Sequence, residues 1–249
     1  ERAGTTTLAA VSGGAMTITG CTFTGPVQAS DFVCLAATGS ARIVVTGGVL
    51  DPGSGLKVRG IRAVDASVTL ENTRISSGAG RLEAAAVDLR GGTLQAVNCD
   101  FAERADSAAP ACLIADGASV AIEASRMEVS GQTGAAGISA SGGTLAIRDS
   151  HLRGGTSAEY LYLVHAVDAE VSIAESTLAG GETGDLAAVL VRDSRLEVQG
   201  STIVAGRGRL EATAIAAHGS GTLHVSSTVL ASLPSNVGPA VLVRAAVKG

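Results

Sequence analysis

Five residues of this 249-residue chain combine reactive chemistry with suggestive spacing: Glu123, Arg148, Asp149, His151 and Glu175. Glu123 and Arg148 lie 25 residues apart, and Asp149 and Glu175 lie 26 apart. In a fold whose turns take 25 or 26 residues, each pair would occupy one position on neighbouring turns. Two carboxylates on adjacent strands stand about 5–7 Å apart. Like charges that close raise one pKa, which suits an acid–base pair or a cation site. The competing structural reading pairs Glu123 with Arg148 as a cross-strand salt bridge and leaves Asp149 and Glu175 as solvated corner residues. It is the preferred one, so no catalytic residue is assigned and the four charged groups are kept as the alternative. The four histidines, His151, His165, His218 and His224, show no compact ligand spacing, and no cysteine pair is CxxC. The expectation is therefore no metal and no cofactor.

The elements that would position these residues come from a repeat. An eight-residue phrase (apolar, any, apolar, any, any, small hydroxyl, any, apolar) begins at Met16, Ile43, Val68, Leu94, Val120, Leu145, Val171, Leu196 and Leu223, at steps of 25 to 27 residues. Positions one and three alternate with polar residues, the signature of a strand with one buried face. Positions four and five favour Gly, Asn, Asp or Glu, which suits a corner. Position six is Ser, Thr or Cys in eight of nine copies, a small side chain able to bond to backbone on a tight inside corner. A second alternating segment follows, as in Ala85, Val87, Leu89 or Ala187, Val189, Val191. About three short strands per period cannot close a core alone, whereas stacked turns bury one another's apolar faces. The prediction is an all-β, single-stranded right-handed parallel β-helix of nine to ten coils, one domain over residues 1–249.

The L-x-I-x-x-S-x-I phrase at this period resembles the parallel β-helix repeat of the pectate-lyase-like superfamily, over residues 8 to 247. The resemblance implies a fold shared by lyases, hydrolases, tailspikes and adhesins. Members that cleave polyuronides place clustered Asp, or Asp with Arg and Lys, on the outer wall of adjacent coils. Here the wall formed by positions two and four is mostly small and neutral, and Lys57 and Lys248 are the only lysines.

Other features read as structural. Arg74, Asp100 and Arg126 fall at position seven of successive coils, an alternating-sign ladder, and Arg90 with Asp116 forms a second such pair. Cys21 and Cys99 take the inward hydroxyl slot. Cys34 and Cys112 are expected outward beside inward Leu35 and Leu113, all four as free thiols. Tyr162 is expected inward, leaving Tyr160, Leu161 and Leu163 outward near His165. The phrase GRLEA occurs at Gly80–Ala84 and Gly208–Ala212, an echo of duplicated coils.

The net charge of −5, with 16% charged residues and no basic patch, excludes a nucleic-acid partner. No apolar run is long enough to span a membrane. The expected function is a non-enzymatic, secreted or surface-displayed bacterial scaffold or adhesin-like domain, with a polysaccharide or host-surface protein as partner. The first alternative is a polysaccharide lyase or glycoside hydrolase using Glu123, Arg148, Asp149 and Glu175. The second is a stacking segment of a fibre or tailspike-like assembly, with end-to-end or lateral self-association. That reading follows from the sparse polar capping at Glu1 and the strand-like run Ala240–Val247, which suggest a piece of a longer protein.

Overall fold

The computed structural model describes residues 5–103, 107, 110–232 and 240–247; Glu1 and Lys248 lie outside them. The protein is a right-handed parallel β-solenoid of about nine turns, with no helix among the described residues. One strand per turn builds a ten-stranded sheet running from Thr6–Ser12 to Ala240–Val247, and the remaining strands build a fifteen-stranded sheet. Position-one residues stack directly, as in Ile43 on Val68, Val120 on Leu145 and Val171 on Leu196. Position three does the same, with Val45 on Leu70 and Ile147 on Ile173. Both columns are buried from the second copy to the eighth, while Met16 and Leu223 at the two ends are partly buried.

Two corners turn each coil, and both depend on the left-handed backbone region. Position five has positive φ in all nine copies, at Gly20, Gly47, Asn72, Asn98, Ala124, Asp149, Glu175, Gly200 and Ser227. A second column of such residues, including Gly91, Asp168 and Asp193, precedes position one. Most L-residues resist this region by roughly 1–2 kcal/mol, which is why Gly, Asn and Asp dominate it. The turn at position five diverts the chain from its ladder, and position six repairs the break. The Ser125 amide donates to Ser150 Oγ at 3.1 Å, Ser150 to Ser176 Oγ at 3.1 Å, and Ser176 to Ser201 Oγ at 3.1 Å. Each hydroxyl in turn donates to the carbonyl two residues before it, as Ser150 does to Arg148 at 2.7 Å. The small-hydroxyl rule of the repeat is therefore a hydrogen-bond ladder inside the corner. In the first coils Cys21, Gly48 and Thr73 keep ordinary backbone pairing instead, so Gly48 is tolerated there.

A third bend, in the ten-stranded sheet, breaks the two-residue alternation. Cys34 and Leu35 both face the core, as do Cys112 with Leu113 and Leu163 with Val164. The register skips the first of each pair, passing from Thr7 on Val33 to Ala9 on Leu35. Two consecutive inward residues invert the phase of the strand. Three sequence expectations fail for this reason. Cys34 and Cys112 point inward, Leu161 and Leu163 are core residues, and Ala85 and Ala187 lie outside the core cluster while Ala86 and Ala188 are in it. Tyr162 consequently faces out.

All four cysteines are free. Cys99 fills its slot as expected and Cys21 uses the same slot, each with its thiol directed at the carbonyl two residues back. Cys21 is nevertheless exposed, because its rung is the first of its sheet. Burial, reinforced by Asp51, pushes the Cys34 thiol up to about 12. Burial also raises Cys99 and, more strongly, Cys112.

Two outcomes are expected. Ellman titration of the native protein should detect one fast thiol, abolished by Cys21→Ser, and the other three only on denaturation. Ser150→Ala should destabilise by about 1–3 kcal/mol in urea unfolding, because it strands the Ser125 amide in a dry corner.

Candidate functional site

Glu123 and Arg148 face solvent in register on adjacent rungs, and no ion pair closes between them among the described residues. Asp149 and Glu175 occupy the left-handed corner with φ of 49° and 50°. Their amides donate to the carbonyls of Ala174 and Gln199 on the following coil. The Glu175 carboxylate folds over Gly200, where any side chain would strike it, and so leans towards the coil after its own, on the side away from Asp149. His151 is exposed in register with Arg126. The quartet shares one edge of the solenoid, but its members are placed by the corner geometry common to every coil. Among the described residues no cluster of three or more His, Cys, Asp or Glu is arranged to hold a metal ion.

The charge ladder has the predicted register, Arg74 on Asp100 on Arg126. Its ion pair joins Arg74 Nε to Asp100 Oδ2 at 3.6 Å. Arg90 and Asp116 are also in register, yet Arg90 turns to Asp88 at 3.6 Å. Asp88 is fully buried, so a cation within reach gains more there than beside an exposed carboxylate.

The chemistry missed by the sequence reading lies on the outer face of the ten-stranded sheet. Val33, Arg59, Ala85, Asp88, Ala111, Ala187 and Thr213 belong to this face and are all buried, none of them in the core cluster. These outward residues form a sheltered strip beside the bend, the trough of this face, in which small residues lie in register with Arg59 and Tyr162. At one end Arg59 binds three carboxylates: Glu83 at 2.5 Å, Asp88 at 2.9 Å and Asp31 at 3.2 Å. Lys57 adds a contact to Glu83 at 3.8 Å. The repeated GRLEA phrase explains how Glu83 arrives there. The register opposite it shifts between Gly55 and Lys57, a bulge that lifts Arg81 and Leu82 into solvent. Gly80 lies so close to the Glu83 carbonyl that no Cβ fits. The second copy repeats the bulge opposite Thr183 and Asp185. It delivers Glu211 to Arg244 at 2.9 Å and to Thr213 at 2.6 Å.

Between these ion clusters stands the chain's entire tyrosine complement. Tyr160 and Tyr162 stack with ring centroids 5.3 Å apart and 22° between planes, and His165 tilts against Tyr162 at 5.6 Å. The flanking rungs carry Gly134, Ala136 and Ser139 on one side and Asp185, Ala187 and Leu190 on the other. Tyr160 lies across Gly134, where a methyl group would overlap its ring. Burial, Asp185 and Tyr160 raise the Tyr162 phenol; burial and then Arg192 lower His165. The signal for this shelf was present in the sequence, but strict alternation placed Tyr162 on the wrong side.

The ion cluster yields a stability test. Arg59→Met should cost about 3–5 kcal/mol, because it leaves buried Asp88 without its closest cation. Arg59→Met combined with Asp88→Leu should recover most of that loss in chemical denaturation. Equal losses in the single and double variants would contradict the assigned coupling.

No protein-family model matches this chain, and neither the curated proteins nor the solved structures contain a significant match to it.

Proposed function

We propose that this chain is a non-enzymatic display scaffold of the pectate-lyase-like β-helix kind, secreted or held on a bacterial surface and adhesin-like in use. The observation that carries the reading is the Arg59 cluster. It gathers Asp31, Glu83 and Asp88 around one cation on the outer face, and the Arg59 side chain is only 5% exposed and already held by these three carboxylates. Catalysis of elimination or hydrolysis requires charged groups aimed at a substrate atom, unsatisfied until the transition state forms. Here they are aimed at one another. The acidic residues with the best spacing, Asp149 and Glu175, hold a position that is left-handed in every copy of the repeat. A rigid rod with chemically quiet walls suits presentation of a binding face to a polysaccharide or a host-surface protein.

The rival reading, a polysaccharide lyase or glycoside hydrolase, rests on those two carboxylates together with Glu123 and Arg148 and is separable from ours. We expect no turnover on a panel of acidic and neutral polysaccharides, with or without calcium. We also expect an Asp149→Gly, Glu175→Gly variant to gain roughly 1 kcal/mol or more from relief of two left-handed residues. Turnover that this variant abolishes would overturn the scaffold reading.

A further inference from the structure

The trough on the ten-stranded sheet contains one feature that structural need does not explain. The chain has five aromatic residues, three Phe and two Tyr, and no Trp. Phe32 and Phe101 are fully buried and Phe23 packs against the core from the first coil. Both tyrosines are instead on the outer face, side by side, on a strand whose inward positions are already filled by Leu161, Leu163, Val164 and Ala166. The core therefore gains nothing from them. Large half-exposed rings also cost hydration, and smaller residues serve at the same column elsewhere: Ala85, Ala111, Ala136 and Ala187.

The surroundings define what the rings can receive. Ala136 on one rung and Ala187 on the next leave low ground on either side of Tyr162, while Gly134 makes room for the Tyr160 ring itself. Neither phenol hydroxyl has a hydrogen-bond partner among the described residues. Ser139, His165 and Asp185 supply a hydroxyl, an imidazole and a carboxylate at the rim. An aromatic face is electron-rich and attracts the weakly positive C–H groups of a ring laid upon it. The rim groups donate to and accept from hydroxyls. A pyranose ring presents C–H groups on its face and hydroxyls around its edge.

We propose that Tyr160, Tyr162 and His165 form a saccharide-binding shelf for an uncharged glycan. The choice of a neutral sugar over a uronate follows from charge. The carboxylate of Asp185 is in register with Tyr160, whereas Arg192 is in register with Val167 at the opposite end of the strand, and Arg59 and Arg244 are engaged by Asp31, Glu83, Asp88 and Glu211. Burial, and after it Arg192, lower the His165 imidazole, which favours its neutral form, a donor and an acceptor at the rim. A peptide partner would need a wider apolar surround than Gly134, Ala136 and Ser139 offer. This inference deepens the display reading by naming the class of ligand displayed to.

The protein carries its own reporter. With no Trp and both Tyr in the shelf, intrinsic tyrosine emission reads this site alone. Cello-, laminari-, xylo- and mannohexaose should be titrated alongside hexagalacturonate, with calorimetry in parallel. We expect at least one neutral hexasaccharide to change the emission saturably. Tyr162→Ala should weaken binding about tenfold, the 1.4 kcal/mol that a single stacked ring can supply, while Tyr162→Phe should bind near the parent value. Both variants should melt as the parent does, since neither ring is in the core. Absence of binding to every neutral hexasaccharide, binding of hexagalacturonate only, or undiminished binding by Tyr162→Ala would each overturn the shelf. None of those results would bear on the turnover test, so the two readings fail separately.

Discussion

Each turn of this solenoid passes a corner at which the backbone must change direction without abandoning its hydrogen bonds. A parallel ladder gives every amide a partner on the neighbouring coil only while the strand stays straight. The left-handed residue at position five bends the chain and takes position six out of the ladder. A buried amide left there would cost about 1–3 kcal/mol, and the cost would recur on every coil. The stacked hydroxyls of Ser125, Ser150, Ser176 and Ser201 remove it by accepting the displaced amide from the coil below. Since they also donate to their own strand, both capacities of each hydroxyl are used. The inward columns on the strands either side can then pack as continuous apolar stacks.

The outer surface follows from the third bend. Two consecutive inward residues, as at Leu163 and Val164, fill the interior where the wall turns, and they leave the neighbouring outward positions in a trough. Burial there changes what charged side chains do. Arg59 and Asp88 would be ordinary surface residues on a flat wall. In the trough they are held by charge and are tied to their neighbours. The same trough gives the tyrosine pair a partly sheltered setting, which is where a weak stacking interaction becomes useful.

How much of this was legible in the sequence divides along the same lines. The fold was readable because the phrase from Met16 to Leu223 encodes strand phase, corner and hydroxyl ladder in one repeated unit. The register of Arg74, Asp100 and Arg126 was readable for the same reason. The trough was not. Its strand departs from two-residue periodicity at Cys34, Gly60, Ala86 and Cys112, and a small residue at a bend looks the same as a small residue in a strand. One phase error there sent Tyr162 inward and hid the shelf. The role of GRLEA was also hidden, because a bulge is defined by what lies opposite it. Glu83 reaches Arg59 only once Gly55 and Lys57 have been paired across the gap. The corner carboxylates Asp149 and Glu175 drew attention through spacing alone, and spacing cannot distinguish a catalytic pair from a turn that recurs on every coil.

The central claim is that the inside-corner hydroxyls hold the solenoid's register, and native-state hydrogen exchange tests it at single residues. The amides of Ser125, Ser150 and Ser176 leave the regular ladder, so their protection depends on the hydroxyl one coil away. The account predicts that they exchange only with the global opening that releases Ile122, Ile147 and Ile173 in the adjoining strands. Exchange at the rate of solvent-exposed turn amides, with those isoleucines still protected, would contradict it.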